Sequence, residues 1–240
     1  MNTEAVERLR AIAARARRIV FFGGAGVSTE SGIPDFRSVD GLYNQQYSEP
    51  PEEILSHHYF MSRPEEFFRF YRNKMLYPDA EPNAAHKRLA QWESEGRLNA
   101  VVTQNIDGLH QKAGSRIVYE LHGSVLRNHC MKCGKFYDLR YILSTKGVPH
   151  CDCGGIIKPD VVLYEEGLDE KTIRGAVTAI SRADVLIIGG TSLAVYPAAG
   201  FINYFEGDEL ILINRDPTPQ DRHATLLIHD PIAQVMQALG

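Results

Sequence analysis

Short apolar runs alternate with amphipathic segments along the whole chain. Runs rich in β-branched and aromatic residues predict buried strands at 19–22, 99–103, 117–121, 183–188, 210–213 and 225–228. Elsewhere, apolar residues recur every three or four positions, which predicts helices at 3–18, 64–75, 84–95 and 169–181. Two further helices are expected to open at Pro197 and Pro231, and Thr3 stands where the first helix needs a cap. This order of elements predicts an α/β fold with a Rossmann-like, doubly wound parallel sheet.

A glycine-rich segment follows the first strand. At Gly24, Ala25 and Gly26, missing side chains would let the backbone turn sharply and approach a phosphate. Three hydroxyl residues could cap a following helix, whose N-terminus would favour a pyrophosphate: Ser28, Thr29 and Ser31. The third glycine of the usual dinucleotide fingerprint is missing, and so is the acidic residue about 20 positions on. A plain strand-to-helix turn therefore stays open. Pro34 would stop a regular helix, so we expect the loop 33–37 to reach over the ligand.

Polar residues also follow other predicted strands. These are Gln104 to Asp107, His122, Gly190 to Ser192, and Asn214. Because the carboxyl ends of parallel strands share one edge of a sheet, we expect one composite cleft there. Asn214 could take the ribose-binding place where no acidic residue is found. From its position after a strand, His122 could be either a functional base or a structural residue.

The four cysteines form two close pairs. Cys130 and Cys133 have the spacing of a zinc knuckle, whereas Cys151 and Cys153 are one residue closer together than usual. Two pairs about 17 residues apart favour one structural zinc ion over a redox pair. His129 and His150 lie beside the pairs and could substitute, but four thiolates are the favoured set.

The segment that carries the four cysteines is predicted to be an insert in the Rossmann-like domain. We expect residues 1–38, 83–124 and 158–240 to form the Rossmann-like domain and 125–157 a zinc-binding module. The irregular stretch 39–82 would be the helical part of the small domain. The aromatic residues within 64–75 favour core packing, although an apolar groove or flap over a pocket stays open.

Composition narrows the possible partners. The formal net charge of -4 argues against a general nucleic-acid binder. No apolar run is long enough to span a membrane, and the first residues lack the pattern of a secretory signal. Together with cysteine pairs that favour a metal over disulfides, these features predict a cytoplasmic protein, which we expect to be a monomer.

The motifs taken together resemble those of the sirtuins, NAD-dependent protein lysine deacylases. The matching stretches occur in the family's order over nearly the whole chain: 24–28, 31–37, 103–107, 122–123, the two cysteine pairs, 158–162, 190–193 and 213–214. The short ends resemble compact bacterial members. The resemblance implies a Rossmann-like domain, a zinc-bearing small domain, and NAD bound between them together with an acyl-lysine peptide.

The resemblance also implies roles for individual residues. His122 would be the general base, acting with Asn105 and Asp107 in catalysis. The NAD-binding residues would be Gly24, Ala25, Gly26, Thr29, Asp35, Phe36, Arg37, Gln104, Asn105, Ile106, Asp107, His122, Gly190, Thr191, Ser192, Asn214, Arg215 and Ile232. Val161, Val162 and Tyr164 would contact the substrate, whose backbone adds as a strand. The acyl group would pass to ADP-ribose with release of nicotinamide, while Phe36 shields the reacting face.

The chain departs from the family pattern at two places. Tyr164-Glu165-Glu166 replaces the usual phenylalanine-glycine-glutamate, so Tyr164 and Glu165 could change substrate contacts. Members that prefer acidic acyl groups carry a tyrosine and an arginine where this chain has Phe68 and Tyr71. We therefore expect acetyl, or a longer apolar acyl group, to be preferred over succinyl.

Three other functions compete with deacylation. An oxidoreductase would transfer hydride and accumulate NADH rather than release nicotinamide. A protein ADP-ribosyltransferase on the same scaffold would label an acceptor protein. A zinc-ribbon nucleic-acid module is disfavoured by the acidic charge balance.

Overall fold

A computed structural model describes residues 2–36, 41 and 49–240. The helices are α1 Thr3–Arg15, α2 Pro51–Ile54, α3 His57–Ser62, α4 Pro64–Lys74, α5 Ala84–Ser94, α6 Leu109–Ala113, α7 Leu139–Ser144, α8 Glu170–Ser181 and α9 Ile232–Ala238. The strands are β1 Ile19–Gly23, β2 Leu98–Thr103, β3 Val118–Glu120, β4 Gly123–Cys130, β5 Phe136–Asp138, β6 Ile157–Val161, β7 Val185–Gly189, β8 Glu209–Ile213 and β9 Leu226–Ile228. In the described part of the chain, no helix has both the length and the apolar character needed to cross a membrane.

A six-stranded sheet forms the larger part of the molecule. Its strand order is β3-β2-β1-β7-β8-β9, and every neighbouring pair is parallel. The order reverses beside β1, as in doubly wound folds, so ligands are expected at the carboxyl ends of the central strands. The predicted fold class and all six predicted strands are thereby confirmed.

Both faces of this sheet are buried, and the alternation along β1 shows why. Ile19 and Phe21 pack on one face with residues of α1, α5 and α9. Val20 and Phe22 pack on the other face with α8 and the 3-10 helix Ala198–Tyr204. A strand that is buried on both sides needs a continuous apolar run, which is the pattern that the sequence shows.

A three-stranded antiparallel sheet, in the order β5-β4-β6, forms the second part of the molecule. It shares one apolar core with α2, α3, α4 and α7. Phe60, Phe67 and Phe68 are fully buried there, with ring centroids 5.0 to 6.0 Å apart. Core packing of this aromatic cluster is therefore confirmed. Strand β4 begins before residue 125 and β6 ends after residue 157, so the small sheet extends beyond the expected insert at both ends.

Two local predictions are wrong. Asn2, not Thr3, caps α1, because its side chain accepts a hydrogen bond from the Ala5 amide at 3.2 Å. The helix expected to open at Pro197 is present as a 3-10 helix, Ala198–Tyr204. No α-helix follows the glycine loop: two 3-10 turns, Ala25–Val27 and Thr29–Ser31, stand there without side-chain caps. Gly32 ends the second turn in a left-handed conformation, at φ 83°.

Candidate functional site

A cavity of about 1,020 Å³ lies where the carboxyl ends of the parallel strands face the small sheet. This volume is at the upper end of the range for ligand pockets, so it can take more than one small molecule. Residues after β1, β2, β7 and β8 line one side, and residues of β4, β6, α4 and α7 contribute to the other. The strand ends thus form the composite cleft that the sequence predicts.

Two glycine loops meet backbone to backbone at the floor of the cavity. The amide of Gly26 donates to the carbonyl of Gly190 at 2.8 Å. A Cβ on Gly26 would lie 2.9 Å from the Cα of Gly190, and a Cβ on Gly24 would lie 2.9 Å from the Thr191 Cβ. The glycines are therefore required by this close approach. Their cradle leaves backbone surface open to the cavity, as binding of a pyrophosphate requires.

A buried polar network joins this loop to the end of β2. The hydroxyl of Ser28 donates to Asp107 Oδ2 at 2.7 Å and accepts from Asn105 Nδ2 at 3.0 Å. The second carboxylate oxygen of Asp107 accepts from the Leu109 amide at 2.9 Å. Burial raises the pKa of Asp107, and the hydrogen bonds from Ser28 and Leu109 partly offset that rise. The network fixes a carboxyl group at the wall of the cavity.

His122 stands at the junction of the two sheets. Its Nδ1 lies 3.0 Å from the carbonyl oxygen of Gln104. Because a carbonyl only accepts, Nδ1 must carry the proton, which leaves Nε2 of the neutral ring as an acceptor. Burial lowers the pKa of His122, and the bond to Gln104 offsets part of that effect. At neutral pH the ring is therefore poised to take a proton.

Most of the residues predicted to bind NAD or substrate line this single cavity. They are Gly24, Ala25, Gly26, Asp35, Phe36, Gln104, Asn105, Ile106, Asp107, His122, Val161, Val162, Tyr164, Gly190, Thr191, Ser192 and Asn214. The two strand ends are tied together, since Gln104 Nε2 donates to the Thr191 hydroxyl at 3.1 Å. Asn214 Nδ2 donates to the Asp216 carbonyl at 2.6 Å.

Four predicted residues are not among those lining the cavity. Thr29 is exposed, and its hydroxyl donates to the Gly26 carbonyl at 3.1 Å. Arg215 is exposed and lies 3.6 Å from the carboxylate of Asp216. Ile232 is buried in the sheet–helix core. Arg37 lies outside the described residues.

The cavity also includes residues that the sequence did not mark as part of the site. Ser28 was considered only as a helix cap, yet it holds Asp107. An apolar side of the cavity comes from Met75, Leu126, Leu139 and Leu143. These residues carry no motif, and only Leu139 and Leu143, four positions apart in α7, show a helical spacing.

The four cysteines converge in the small sheet. The Sγ atoms of Cys130 and Cys153 are 3.5 Å apart, those of Cys133 and Cys151 are 3.6 Å apart, and all four lie within 4.8 Å of one another. A tetrahedral zinc ion with Zn–S bonds of about 2.3 Å places sulfur atoms about 3.8 Å apart. The cysteines therefore fit one zinc ion despite the shortened second pair.

Neither neighbouring histidine joins this group within the described ranges. His129 packs against Phe136 with ring centroids 5.6 Å apart, and His150 Nδ1 lies 2.8 Å from the Val148 carbonyl. The favoured set of four thiolates is thus the one that the structure brings together.

The geometry agrees with comparisons to known proteins. The sequence model of the Sir2 family matches residues 24–197. A Clostridium acetobutylicum protein named NAD-dependent protein deacetylase is 59% identical over 238 residues, which are 98% of this chain and 97% of that protein. A Clostridium perfringens protein of the same name is 60% identical over 235 residues, covering 96% of each.

Solved structures give the same result for the fold. Sir2 with a deacetylated p53 peptide and 3'-O-acetyl ADP-ribose superposes with a TM-score of 0.89 at 38% identity, covering 97% of this chain and 96% of that one. Sir2 with a p53 peptide and NAD+ superposes with a TM-score of 0.85 at 38% identity, over 98% and 96% of the two chains. The chain belongs to the Sir2 family, the sirtuins.

Proposed function

We propose that this protein is an NAD-dependent protein lysine deacetylase that transfers the acyl group of an acyl-lysine side chain to ADP-ribose and releases nicotinamide. The observation that carries the proposal is that one cavity is lined by His122, by the Ser28–Asp107 network and by the carboxyl end of the edge strand β6 with the segment after it. It therefore contains a base, a fixed carboxyl group and a backbone edge for a peptide. The relatives' shared name supports the reaction class.

NAD, when bound, supplies the ribose that receives the acyl group and the nicotinamide that leaves. The backbone of the Gly24–Gly26 loop would lie against the pyrophosphate, while the Gly26 amide stays bonded to Gly190. Gln104 and Asn214 would bind ribose hydroxyls, and Asp107 would hold the nicotinamide carboxamide. Phe36, half-buried at the cavity, would exclude water from the reacting face.

His122 would act as the general base. Its Nε2 would accept a proton from a ribose hydroxyl, while Nδ1 keeps its hydrogen bond to Gln104. This hydrogen bond fixes the orientation of the ring. Asn105 would help by holding Ser28, and through it Asp107, in position.

The substrate would add as a strand along Val161 and Val162, beside the exposed ring of Tyr164. Acetyl or longer apolar acyl groups would be preferred over succinyl. Phe68 and Tyr71 are fully buried, and the guanidinium of Arg72 is held by the Ile142 carbonyl at 3.1 Å and the Thr145 hydroxyl at 3.1 Å. Similar kcat/KM values for succinyl- and acetyl-lysine peptides would contradict this preference.

The zinc ion would be structural. The cysteines belong to the small sheet and are not among the residues lining the cavity. As proposed boundaries, 1–38, 83–124 and 158–240 form the NAD-binding domain, with 39–82 and 125–157 as the small domain. We further propose a cytoplasmic monomer that acts as a transferase and binds no nucleic acid.

The test uses an acetyl-lysine peptide with NAD and mass spectrometry for both products. We expect equal amounts of deacetylated peptide, nicotinamide and O-acetyl-ADP-ribose. His122→Ala should abolish turnover while the circular-dichroism spectrum stays unchanged. A fully active His122→Ala protein, or transfer of ADP-ribose onto an acceptor protein as the main reaction, would overturn the proposal.

A further inference from the structure

The segment after β6 folds back on itself around one carboxylate. Glu166 Oε2 accepts hydrogen bonds from the Leu163 amide at 2.9 Å and from Lys158 Nζ at 3.0 Å. Its other oxygen, Oε1, lies 2.8 Å from His57 Nδ1. The carboxylate thus contacts β6, the segment that follows it, and helix α3.

Lys158 completes this arrangement from the other end of the segment. Besides Glu166, its Nζ donates to the carbonyl of Val161 at 3.0 Å and to that of Pro159 at 3.2 Å. The side chains of Lys158 and Glu166 are only 19% and 20% exposed, so the ion pair is largely screened from water. The two side chains together close a ring over 158–166, which we call the Lys158–Glu166 clasp.

Backbone hydrogen bonds anchor the enclosed segment at Val162 and Tyr164. The Val162 amide donates to the His122 carbonyl at 3.0 Å. The Tyr164 amide donates to the Leu55 carbonyl at 3.0 Å, and the His57 amide donates to the Tyr164 carbonyl at 3.0 Å. These anchors lie inside the clasp, so its loss would free the Val161 carbonyl and the Leu163 amide without detaching the segment.

The carboxylate of Glu166 is ionised at neutral pH. Burial raises the pKa of Glu166, but hydrogen bonds from His57, Leu163 and Lys158 lower it by more, so its pKa lies below the usual value. A charged acceptor forms stronger hydrogen bonds than a neutral one, and its donors are oriented more strictly.

We propose that Glu166 is a positioning residue for the acyl-lysine peptide: its carboxylate holds Val161–Leu163 in the shape onto which the substrate backbone adds as a strand. The inference rests on the proposed function. It assigns Glu166 to the peptide and not to NAD, because its three partners lie on β6, on the segment that follows β6, and on helix α3.

The test compares Glu166→Gln with Glu93→Gln. Glu93 likewise holds backbone amides, those of Arg116 at 2.7 Å and Ile117 at 2.9 Å, but it lies away from the cavity. For Glu166→Gln we expect the KM for an acetyl-lysine peptide to rise about tenfold, with the KM for NAD and kcat within about twofold of the wild type. Glu93→Gln should lower the melting temperature without changing the KM for the peptide.

A second measurement does not depend on catalysis. In Glu166→Gln, the amide of Leu163, which donates to the carboxylate, should exchange hydrogen faster, while those of β1 keep their protection. An unchanged KM for the peptide, or equal rises in the two KM values, would overturn the inference. If the wild-type protein neither binds nor deacetylates the peptide, the proposed function fails as well. If the wild type and Glu166→Gln bind the peptide equally, only the positioning role fails.

Discussion

The amide of Val162 donates a hydrogen bond to the carbonyl oxygen of His122 at 3.0 Å. The proposed peptide-binding edge and the proposed base are therefore joined by one backbone contact across the junction of β4 and β6. A peptide aligned on Val162 would therefore lie beside the segment that carries the imidazole ring.

The pH dependence of turnover should report the buried state of His122. Because burial lowers its pKa below the ordinary value of about 6.5, the ring stays neutral to lower pH than a free imidazole does. We expect kcat/KM for the acetyl-lysine peptide to fall on the acid side with a midpoint below about pH 6.5. Initial rates measured between about pH 5 and 8 give this midpoint. An acid-side midpoint above pH 7 would contradict the assignment.

Loss of the Ser28 hydroxyl should damage the site more than it damages the fold. Ser28→Ala leaves Asp107 Oδ2 and Asn105 Nδ2 without their shared partner in a buried place. We expect kcat/KM for NAD to fall at least about tenfold, and the free energy of unfolding to fall by about 1–2 kcal/mol. Ser31→Ala is the control, since that hydroxyl accepts from Asn83 Nδ2 at 3.0 Å and does not contact Asp107. Equal losses in the two variants would argue against a special role for Ser28.

Gly123 should not tolerate a side chain. It has φ 74°, and a Cβ there would overlap the carbonyl oxygen of Asp160 on β6. Gly96 also has φ 74°, but a Cβ would meet nothing within 4 Å. Gly96→Ala should therefore cost only the strain of a left-handed residue, about 1 kcal/mol, and Gly123→Ala at least about 2 kcal/mol more. Urea unfolding measures both, and similar values would show that β4 and β6 can separate freely.

Removal of zinc should loosen the small sheet selectively. The four thiols converge between β4 and the segment preceding β6, and that sheet has only three strands. A chelator should lower the melting temperature and increase hydrogen exchange in β4 and β6, with β1 and β7 still protected. Added zinc should reverse the change. A protein that is metal-free as purified and unaffected by the chelator would contradict the assignment.

Acid should destabilise the protein through a pair of buried histidines. His110 is fully buried with its ring centroid 4.7 Å from that of His86, and three of their four ring nitrogens have no partner among the described residues. Burial lowers the pKa of His86 to about 4 and also lowers that of His110. The unfolded chain takes up protons at these positions below about pH 6.5, whereas the folded one does not.

Stability should therefore fall as the pH drops below about 6.5, by about 2 kcal/mol at pH 5 for His86 alone. Urea unfolding at several pH values measures this slope. His110→Leu should flatten it. An equal slope in the wild type and in His110→Leu would show that other groups cause the acid sensitivity.

The hydrophobic pattern of the sequence was sufficient to predict the strands of the parallel sheet. It was not sufficient to predict the hydrogen bonds between distant residues at the cavity. Strands such as β1 and β7 are continuous apolar runs, which only a sheet covered on both faces needs. The contact between Ser28 and Asp107 spans 79 positions, and that between His57 and Glu166 spans 109. Such pairs depend on how the two sheets pack. The helix expected after Gly26 failed for a similar reason, since the loop is held by Gly190 rather than by its own caps.

Strand β6 is an edge strand, and open edges invite association with other chains. Two residues of β6 limit such association at this edge. Pro159 offers no amide donor, and the Lys158 amine occupies the carbonyl of Val161. The open stretch is thereby limited to a few residues at the cavity wall. The edge that we propose for a peptide is in this way too short to recruit a neighbouring sheet, so this face of the protein resists association with other chains at high concentration.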